Sequence, residues 1–260
     1  MTSARARPRQ LAVSRHEAIL RDISAHGAVR VAELAAQFDV SRETIRRDLK
    51  ALAGQGQVNV VHGGAARRQT TEPALRERLI ENAEGKAAIA RLAFDLVADG
   101  SVVLLDSGST TYAVAQALSA RQDLTICTNS VPIALLCCRV PGFRVHMFGG
   151  DIDPTDEAAV GADVIASLGR FRIDIAFIGI GGLTQGGDLT DYSRANVQQR
   201  QAMIAAADTS WVVLDHEKIA RLTPVRLTSA ANLAGIVTDR PLPEATARAV
   251  AARGWRIRHP

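Results

Sequence analysis

Hydrophobic residues recur every three or four positions in three stretches near the start of the chain, and this spacing predicts three short helices. The first is predicted to open with the capping box Ser14-Arg15-His16-Glu17 and to end at Gly27. The second is expected over about residues 31–38. The third begins at Ser41, whose hydroxyl suits a helix N-cap. Three short helices in this order are typical of a helix-turn-helix unit.

The third helix is predicted to have an apolar face and a basic face. Ile45, Leu49 and Leu52 share one stripe, and a rotation of about 100° per residue puts the charged residues on the other side. Such a face suits a DNA major groove, although a solvated surface helix would carry the same charges. The candidate DNA contacts on this helix are Ser41, Arg42, Glu43, Thr44, Arg46, Arg47 and Lys50.

An alternating apolar and polar run over residues 57–62, bounded by glycines, predicts a two-stranded hairpin after the third helix. A hairpin here would be the wing of a winged helix, with His62 and Arg67 as candidate DNA contacts. The predicted DNA-binding domain spans residues 14–68. Residues 1–13 are expected to form a flexible basic arm, which either touches the DNA backbone or only keeps the chain soluble.

From about residue 86 the pattern changes to short apolar strands that alternate with helices. Strands are predicted at 101–105, 124–128, 143–148, 173–180, 211–214 and 235–238, with a final edge strand at 255–257. This alternation predicts an α/β domain with a largely parallel sheet over residues 86–260. The polar residues 69–85 are predicted to be a linker with a short helix.

Polar and glycine-rich segments follow several of these strands, where open α/β sheets bind ligands. Asp106-Ser107-Gly108-Ser109-Thr110-Thr111 has the glycine, the hydroxyls and the following helix that suit a phosphate. It matches neither of the common nucleotide-binding glycine motifs. Later strand ends carry Thr128-Asn129, Gly149-Gly150 and Gly179-Ile180-Gly181-Gly182. Each alone could be a tight turn, but together they favour a shared pocket.

The distribution of charge along the chain and the spacing of the cysteines limit the classes of function that the chain can have. Residues 1–70 carry a net charge of +6 and residues 71–260 a net charge of −2, so only the N-terminal unit is suited to a polyanion. Three cysteines without C-x-x-C spacing argue against a disulfide framework or a cysteine zinc site, and indicate a reducing cytoplasm. No apolar run has the length of a membrane helix. We expect no metal, no cofactor and no membrane partner.

Two motifs together resemble the signature of DeoR-type bacterial transcription regulators. They are Val40-Ser41-x-x-Thr44-Ile45-Arg46-Arg47-Asp48-Leu49-x-x-Leu52 and His62-Gly63-Gly64-Ala65, and the resemblance extends over nearly the whole chain. It implies a winged helix-turn-helix joined to an α/β sensor domain that resembles ribose-5-phosphate isomerase and coenzyme A transferases. It also implies a homo-oligomeric repressor of a carbohydrate or polyol catabolic operon, bound to operator DNA in the bacterial cytoplasm and associated with the nucleoid.

The same resemblance implies which residues bind a phosphorylated sugar or polyol as the effector. The phosphate would lie on Ser109, Thr110 and Thr111. Asp106 and Asn129 would meet sugar hydroxyls, and Lys218 would add charge at the rim of the site. The other candidate residues at this site are Lys86, Gly108, Thr128, Gly149, Gly150, Gly181 and Gly182.

The chain departs from the family pattern in one helix. Where the family often has Glu and, four residues later, Lys, this sequence has Asn196 and Arg200. An isomerase needs a carboxylate base near the substrate carbon, and Asn cannot serve as one. We therefore expect no catalytic residues. The alternatives are a sugar-phosphate-converting enzyme with an accessory nucleic-acid-binding module and a non-specific architectural DNA binder.

Overall fold

A computed structural model describes residues 12–26, 28–55, 57–61, 63–67, 71–221, 223–228 and 230–260. The chain forms two compact units, residues 1–69 and residues 70–260. Most of the predicted basic arm, together with Gly27 and His62, lies outside the described residues. Within the ranges given above, no helix has both the length and the apolar character needed to cross a membrane.

The first unit contains the three predicted helices and the predicted hairpin. The helices are α1 (Ala12–His26), α2 (Val31–Phe38) and α3 (Arg42–Gly54), and the strands are β1 (Ala28–Arg30), β2 (Val58–Val61) and β3 (Gly64–Arg67). The strands form an antiparallel sheet in the order β1-β3-β2. The short β1 was not predicted.

The predicted capping box at Ser14 is wrong, because α1 begins at Ala12 and Ser14 lies inside the first turn. The predicted cap of α3 is confirmed: the Ser41 hydroxyl accepts a hydrogen bond from the Thr44 amide at 3.1 Å. Ile45, Leu49 and Leu52 are buried, as their spacing predicts. They pack in one apolar core with residues of α1, α2 and β2.

A buried ion pair joins α1 to α3. Arg15 donates to both carboxylate oxygens of Asp48, at 2.6 and 3.1 Å, and the His16 ring lies 3.0 Å from Asp48. Burial alone would raise the pKa of Asp48, but the hydrogen bonds from Arg15 and His16 outweigh it and hold the pKa below its usual value. Asp48 therefore stays ionised and holds the two helices together.

The second unit is built on a seven-stranded, fully parallel sheet. The strands, in sheet order, are β15 (Arg256–Arg258), β14 (Leu233–Val237), β12 (Ala207–Val213), β9 (Ile173–Ile178), β4 (Val102–Leu105), β5 (Thr125–Thr128) and β6 (Arg144–Met147). The parallel sheet and its edge strand β15 confirm the α/β prediction. Strand β9 is shorter than predicted, because the chain leaves the sheet before Gly179.

Helices pack around this sheet and bury its apolar side chains in two clusters. They are α4 (Leu75–Ile80), α5 (Ala83–Phe94), α6 (Ser109–Leu118), α7 (Val131–Cys137), α8 (Ala162–Leu168), α9 (Arg194–Ala206) and α10 (Glu244–Ala251), with a 3-10 turn at His216–Lys218. Two small antiparallel sheets were not predicted: β7 (Asp151–Asp153) with β8 (Ala158–Val160), and β10 (Gly182–Leu183) with β11 (Leu189–Asp191) and β13 (Val225–Arg226).

The segment predicted to be a linker packs as part of the second unit. The Leu75 amide donates to the Thr155 carbonyl at 2.8 Å, beside the turn between β7 and β8. Arg78 is buried and pairs with Asp156 of the same turn. The segment contains a short helix, α4, as predicted, but Leu75 and Arg78 of this helix are buried, which the polar composition of the segment does not reveal.

The Arg15–Asp48 pair gives a stability prediction. Asp48→Asn leaves the Arg15 charge buried without a carboxylate, so we expect the first unit to lose about 3 kcal/mol of unfolding free energy. Hydrogen–deuterium exchange of α1 and α3 in the full-length protein measures this. The wild-type advantage is complete above the unfolded pKa of about 4 and is lost as the pH falls through the lower, folded pKa.

The matched control is Glu43→Gln, because Glu43 is an exposed carboxylate on the same helix. Its exposed pair with Arg46 contributes little to stability, so its exchange should match the wild type. Equal exchange in Asp48→Asn and Glu43→Gln would contradict the stabilising role of Asp48.

Candidate functional site

The exposed face of α3 carries the residues predicted to contact DNA. Ser41, Arg42, Glu43, Arg46, Arg47 and Lys50 are exposed, and Thr44 is half-buried. The exposed Arg46 pairs with Glu43 at 3.3 Å. The cap at Ser41 and the pair at Asp48 fix this helix, so its basic side chains project from a rigid support. Of the two predicted wing contacts, Arg67 ends β3, while His62 lies outside the described residues.

The strand ends predicted to form a pocket are adjacent. Strands β9, β4, β5 and β6 are consecutive in the parallel sheet, so their carboxyl ends lie side by side. The segments that follow them begin at Gly179, Asp106, Asn129 and Phe148. Gly149-Gly150 follows β6, next to β5. Gly150 has a φ of 149°, and a Cβ there would lie 2.7 Å from the Val160 carbonyl oxygen, so close backbone packing explains this glycine.

Asp106 forms a buried ion pair, and both of its carboxylate oxygens accept hydrogen bonds from the protein. One oxygen accepts from the Ser107 amide at 2.8 Å; the other accepts from the Gly179 amide at 3.1 Å and from Arg200 Nε at 2.8 Å. Arg200 also pairs with Asp191. Burial alone would lower the pKa of Arg200, but the two carboxylates outweigh it and raise the pKa well above its usual value. Asp106 therefore has a structural role at the end of β4, where it holds Arg200 and the Gly179 amide.

The hydroxyl-rich loop before α6 is buried. Gly108 has a φ of 138°, and the Thr111 hydroxyl donates to the Gly108 carbonyl at 2.9 Å. Ser109 and Thr110 are also buried, and Thr110 Oγ1 has no hydrogen-bond partner among the described residues. In the loop that was predicted to bind the phosphate, the Thr111 hydroxyl thus stabilises the loop itself. The Thr110 hydroxyl is left with unused hydrogen-bonding capacity.

At the end of β5, one polar side chain stabilises the protein and the next has an oxygen atom without a partner. The Thr128 hydroxyl donates to the Leu105 carbonyl at 2.7 Å and accepts from the Ser130 amide at 3.0 Å, so it braces β5 against β4. Asn129 donates to the Ala159 carbonyl at 3.0 Å. Its Oδ1 is buried and, within the described ranges, has no partner. Asn129 Oδ1 and Thr110 Oγ1 therefore follow neighbouring strands, and both can still bind a polar ligand.

Of the two predicted lysines, Lys86 is buried and Lys218 is partly buried. Lys86 Nζ donates to the carbonyls of Arg78 and Glu81, and lies 3.9 Å from Asp215. Lys218 Nζ donates to the Ile180 carbonyl at 2.7 Å. Burial lowers the pKa of both amines. Lys218 was predicted to add charge at the rim of the site, and its amine lies 3.9 Å from Glu72 in the segment before α4.

The remaining two glycines of the predicted site are required by close packing. A Cβ on Gly182 would lie 2.4 Å from the Arg221 carbonyl oxygen, and one on Gly181 would lie 3.1 Å from the Asp191 Cα. Both contacts involve backbone atoms that cannot move aside easily. These glycines allow the β10–β11 hairpin to lie against its neighbours, and this role accounts for them without a ligand.

Several charged residues near this site were not predicted from the sequence. Arg78 donates to Glu72 Oε1 and to the Pro73 carbonyl, both at 2.9 Å, and pairs with Asp156. Glu72 also lies 3.9 Å from Lys218. The only signal was the run of charges in residues 69–85, which is equally typical of a solvated linker. Asn196 is half-buried, and its backbone amide is capped by Ser193.

A groove of about 500 Å³ lies between α4, α5 and α6. Its lining includes Lys86 and Ser109, two predicted site residues, together with Tyr112 and several alanines. Its size is in the range of small-molecule sites. Within the part of the chain that the structure describes, no group of His, Cys, Asp and Glu side chains is arranged to hold a metal ion. The buried polar atoms described above suit a ligand with hydroxyl and anionic groups.

Two family models match the chain. The DeoR-like helix-turn-helix domain matches residues 15–71, and the DeoR C terminal sensor domain matches residues 81–240. The chain is similar to the glycerol-3-phosphate regulon repressor of Escherichia coli (strain K12), with 32% identity over 88% of this chain and 91% of that protein. It is 28% identical to the HTH-type transcriptional regulator IolR of Bacillus subtilis (strain 168), over 85% of this chain and 88% of that protein.

Among solved structures, the chain is similar to ribose 5-phosphate isomerase A from Methanocaldococcus jannaschii. The identity is 20% and the TM-score 0.41, over 54% of this chain and 56% of that one. A likeness at this level says nothing about the chemistry of the site.

The Arg200 cluster gives a second stability prediction. Arg200→Met keeps the length of the side chain but leaves the Asp106 and Asp191 carboxylates buried without their cation. We expect the second unit to lose about 3 kcal/mol or more of unfolding free energy. Both tryptophans of the chain, Trp211 and Trp255, lie in this unit, so urea unfolding followed by tryptophan fluorescence reports on it.

Arg194→Met is the matched control, because Arg194 is exposed on the same helix α9. This change should shift the unfolding midpoint little. A midpoint for Arg200→Met equal to that of Arg194→Met would show that the ion pair does not stabilise the domain.

Proposed function

The chain belongs to the DeoR family of DNA-binding transcription regulators, and we propose that it represses a carbohydrate or polyol catabolic operon under the control of a phosphorylated polyol or sugar. The observation that carries the DNA-binding part is the exposed basic face of α3, held by Ser41 and Asp48. The net charge of +6 on residues 1–70 supports the same assignment. The named relatives are regulators, which favours this function over an enzyme.

The proposed effector site lies at the carboxyl ends of β4 and β5. Thr110 Oγ1 and Asn129 Oδ1 are buried polar atoms without partners among the described residues, and a ligand rich in oxygen would satisfy both. Thr110 and Ser109 open α6, where free amides favour a phosphate. The name of the Escherichia coli relative makes sn-glycerol 3-phosphate the first compound to test. Asp106, Thr111 and Thr128 would support this site and would not touch the ligand.

Control of DNA binding would follow from linkage between effector and operator. An effector that prefers one arrangement of the protein shifts it away from the arrangement that binds DNA, by no more than its difference in affinity for the two. Two recognition helices must meet two half-sites about one helical turn apart, so the proposal includes a homo-oligomer. Its place of action would be the bacterial cytoplasm, on nucleoid DNA.

The first test concerns the recognition helix. Arg47 is exposed on α3, so Arg47→Ala should weaken binding to operator DNA by about 1–3 kcal/mol if Arg47 contacts a base. Fluorescence anisotropy with the DNA upstream of the gene measures this, with a scrambled duplex as the non-specific reference. The loss should be larger for the operator than for the scrambled duplex.

The control variant is Arg21→Ala, because Arg21 is exposed on α1 and lies outside the recognition helix. It removes the same charge from the same unit. If Arg21→Ala and Arg47→Ala weaken operator binding equally, Arg47 acts only through charge, and base recognition by this residue is wrong.

The second test concerns the effector site. Thr110→Val replaces the buried, partnerless hydroxyl by a methyl group of the same shape, so it should leave folding intact. We expect at least tenfold weaker effector binding, since the hydroxyl would donate to the phosphate. Isothermal titration calorimetry with sn-glycerol 3-phosphate measures the affinity, and release from operator DNA measures the response.

Thr246→Val is the matched control. Thr246 Oγ1 is also buried and, within the described ranges, without a partner, but Thr246 lies on α10, away from the proposed site. This variant should bind effector like the wild type. Unchanged effector affinity in Thr110→Val would exclude Thr110 from the site.

A further inference from the structure

A buried carboxylate outside the matched sensor domain, Glu72, lies beside Lys218, whose amine donates to the Ile180 carbonyl just after β9. We propose that Glu72 binds a hydroxyl group of the effector through Oε2, and so selects hydroxylated phosphates over phosphates without hydroxyls. This inference rests on the proposed function, because it assigns a further residue to the same site. The matched sensor domain begins at residue 81, so Glu72 precedes it.

The two oxygens of Glu72 have different surroundings. Oε1 accepts a hydrogen bond from Arg78 at 2.9 Å and lies 3.9 Å from Lys218 Nζ. Oε2 is buried, and the described residues provide no hydrogen-bond partner for it. An ionised oxygen buried without a donor is costly, and burial accordingly raises the pKa of Glu72 although Lys218 and Arg78 oppose this. A ligand hydroxyl would supply the missing donor.

Glu72 is connected to the strand ends through Lys218. The Lys218 amine lies next to Glu72 and donates to the Ile180 carbonyl at 2.7 Å, just after β9. The neighbouring Gly179 amide donates to Asp106, at the end of β4. Arg200, the partner of Asp106, also acts electrostatically on Glu72. Glu72 therefore borders the same group of strand ends as the proposed phosphate subsite.

The chemistry of Glu72 favours a hydroxyl over a phosphate. A carboxylate only accepts hydrogen bonds when ionised, so it repels a phosphate and attracts an O–H donor. Thr110 and the start of α6 carry no acidic side chain and suit the phosphate. The ligand would thus lie with its phosphate at α6 and its hydroxylated end at Glu72.

The experiment uses the full-length protein and isothermal titration calorimetry. Wild type is first titrated with sn-glycerol 3-phosphate, ribose 5-phosphate and glucose 6-phosphate, and the tightest of these is compared with propyl phosphate, which has no carbon-bound hydroxyl. Glu72→Gln keeps the shape but removes the anionic acceptor. We expect it to bind the hydroxylated phosphate about tenfold more weakly, and to bind propyl phosphate like the wild type.

Glu77→Gln is the matched control, because Glu77 is exposed on α4. It should leave both affinities unchanged. Thermal unfolding of each variant shows whether Glu72→Gln remains folded at the titration temperature. If folding is impaired, Glu72→Asp, which keeps the anionic acceptor on a shorter side chain, is titrated in the same way and should keep the preference for the hydroxylated phosphate.

Three results would overturn the inference. An unchanged affinity of Glu72→Gln for the hydroxylated phosphate would remove Glu72 from the site while the proposed function stands. An equal loss for propyl phosphate would assign Glu72 a structural role only. If wild type binds none of the three sugar and polyol phosphates, the proposed effector class itself is wrong, and the inference fails with it.

Discussion

The arrangement of the second unit depends on one buried cation. Arg200 joins Asp106, at the end of β4, to Asp191, at the end of β11, and Asp106 in turn holds the Gly179 amide after β9. Buried charges are costly unless they are paired, so separation of these segments would leave a charge unpaired. Three other buried polar atoms, on Thr110, Asn129 and Glu72, have no partner among the described residues and are available to a ligand.

The first unit also contains a buried arginine–carboxylate pair that connects two elements. Asp48 lies on α3 and faces inward, where it accepts two hydrogen bonds from Arg15 of α1. The basic residues on the opposite face of α3 thus lie on a helix that this ion pair connects to α1. In both units, an arginine–carboxylate pair made within the core sets the orientation of the residues proposed to bind a partner.

The spacing of apolar residues predicted the longer helices and strands. It did not predict the roles of residues whose partners lie far away in sequence. The three N-terminal helices, the hairpin and the parallel sheet follow from local spacing, whereas the strands of the two small antiparallel sheets, such as β10, were not predicted. The role of Asp106 depends on Arg200, which lies far away in sequence. The contact between Lys218 and Glu72 could not be predicted, because the polar residues around Glu72 were interpreted as a linker.

The packing of Arg78 has a consequence for engineering hybrid regulators. This side chain is anchored to Glu72 and Pro73 on one side and to Asp156 on the other, although α4 precedes the residues matched by the sensor family. A fusion that joined a foreign DNA-binding domain at residue 81 would remove Arg78. Asp156 would then be a buried acid without its partner. A graft that keeps the sensor intact must therefore start its donor sequence before Glu72.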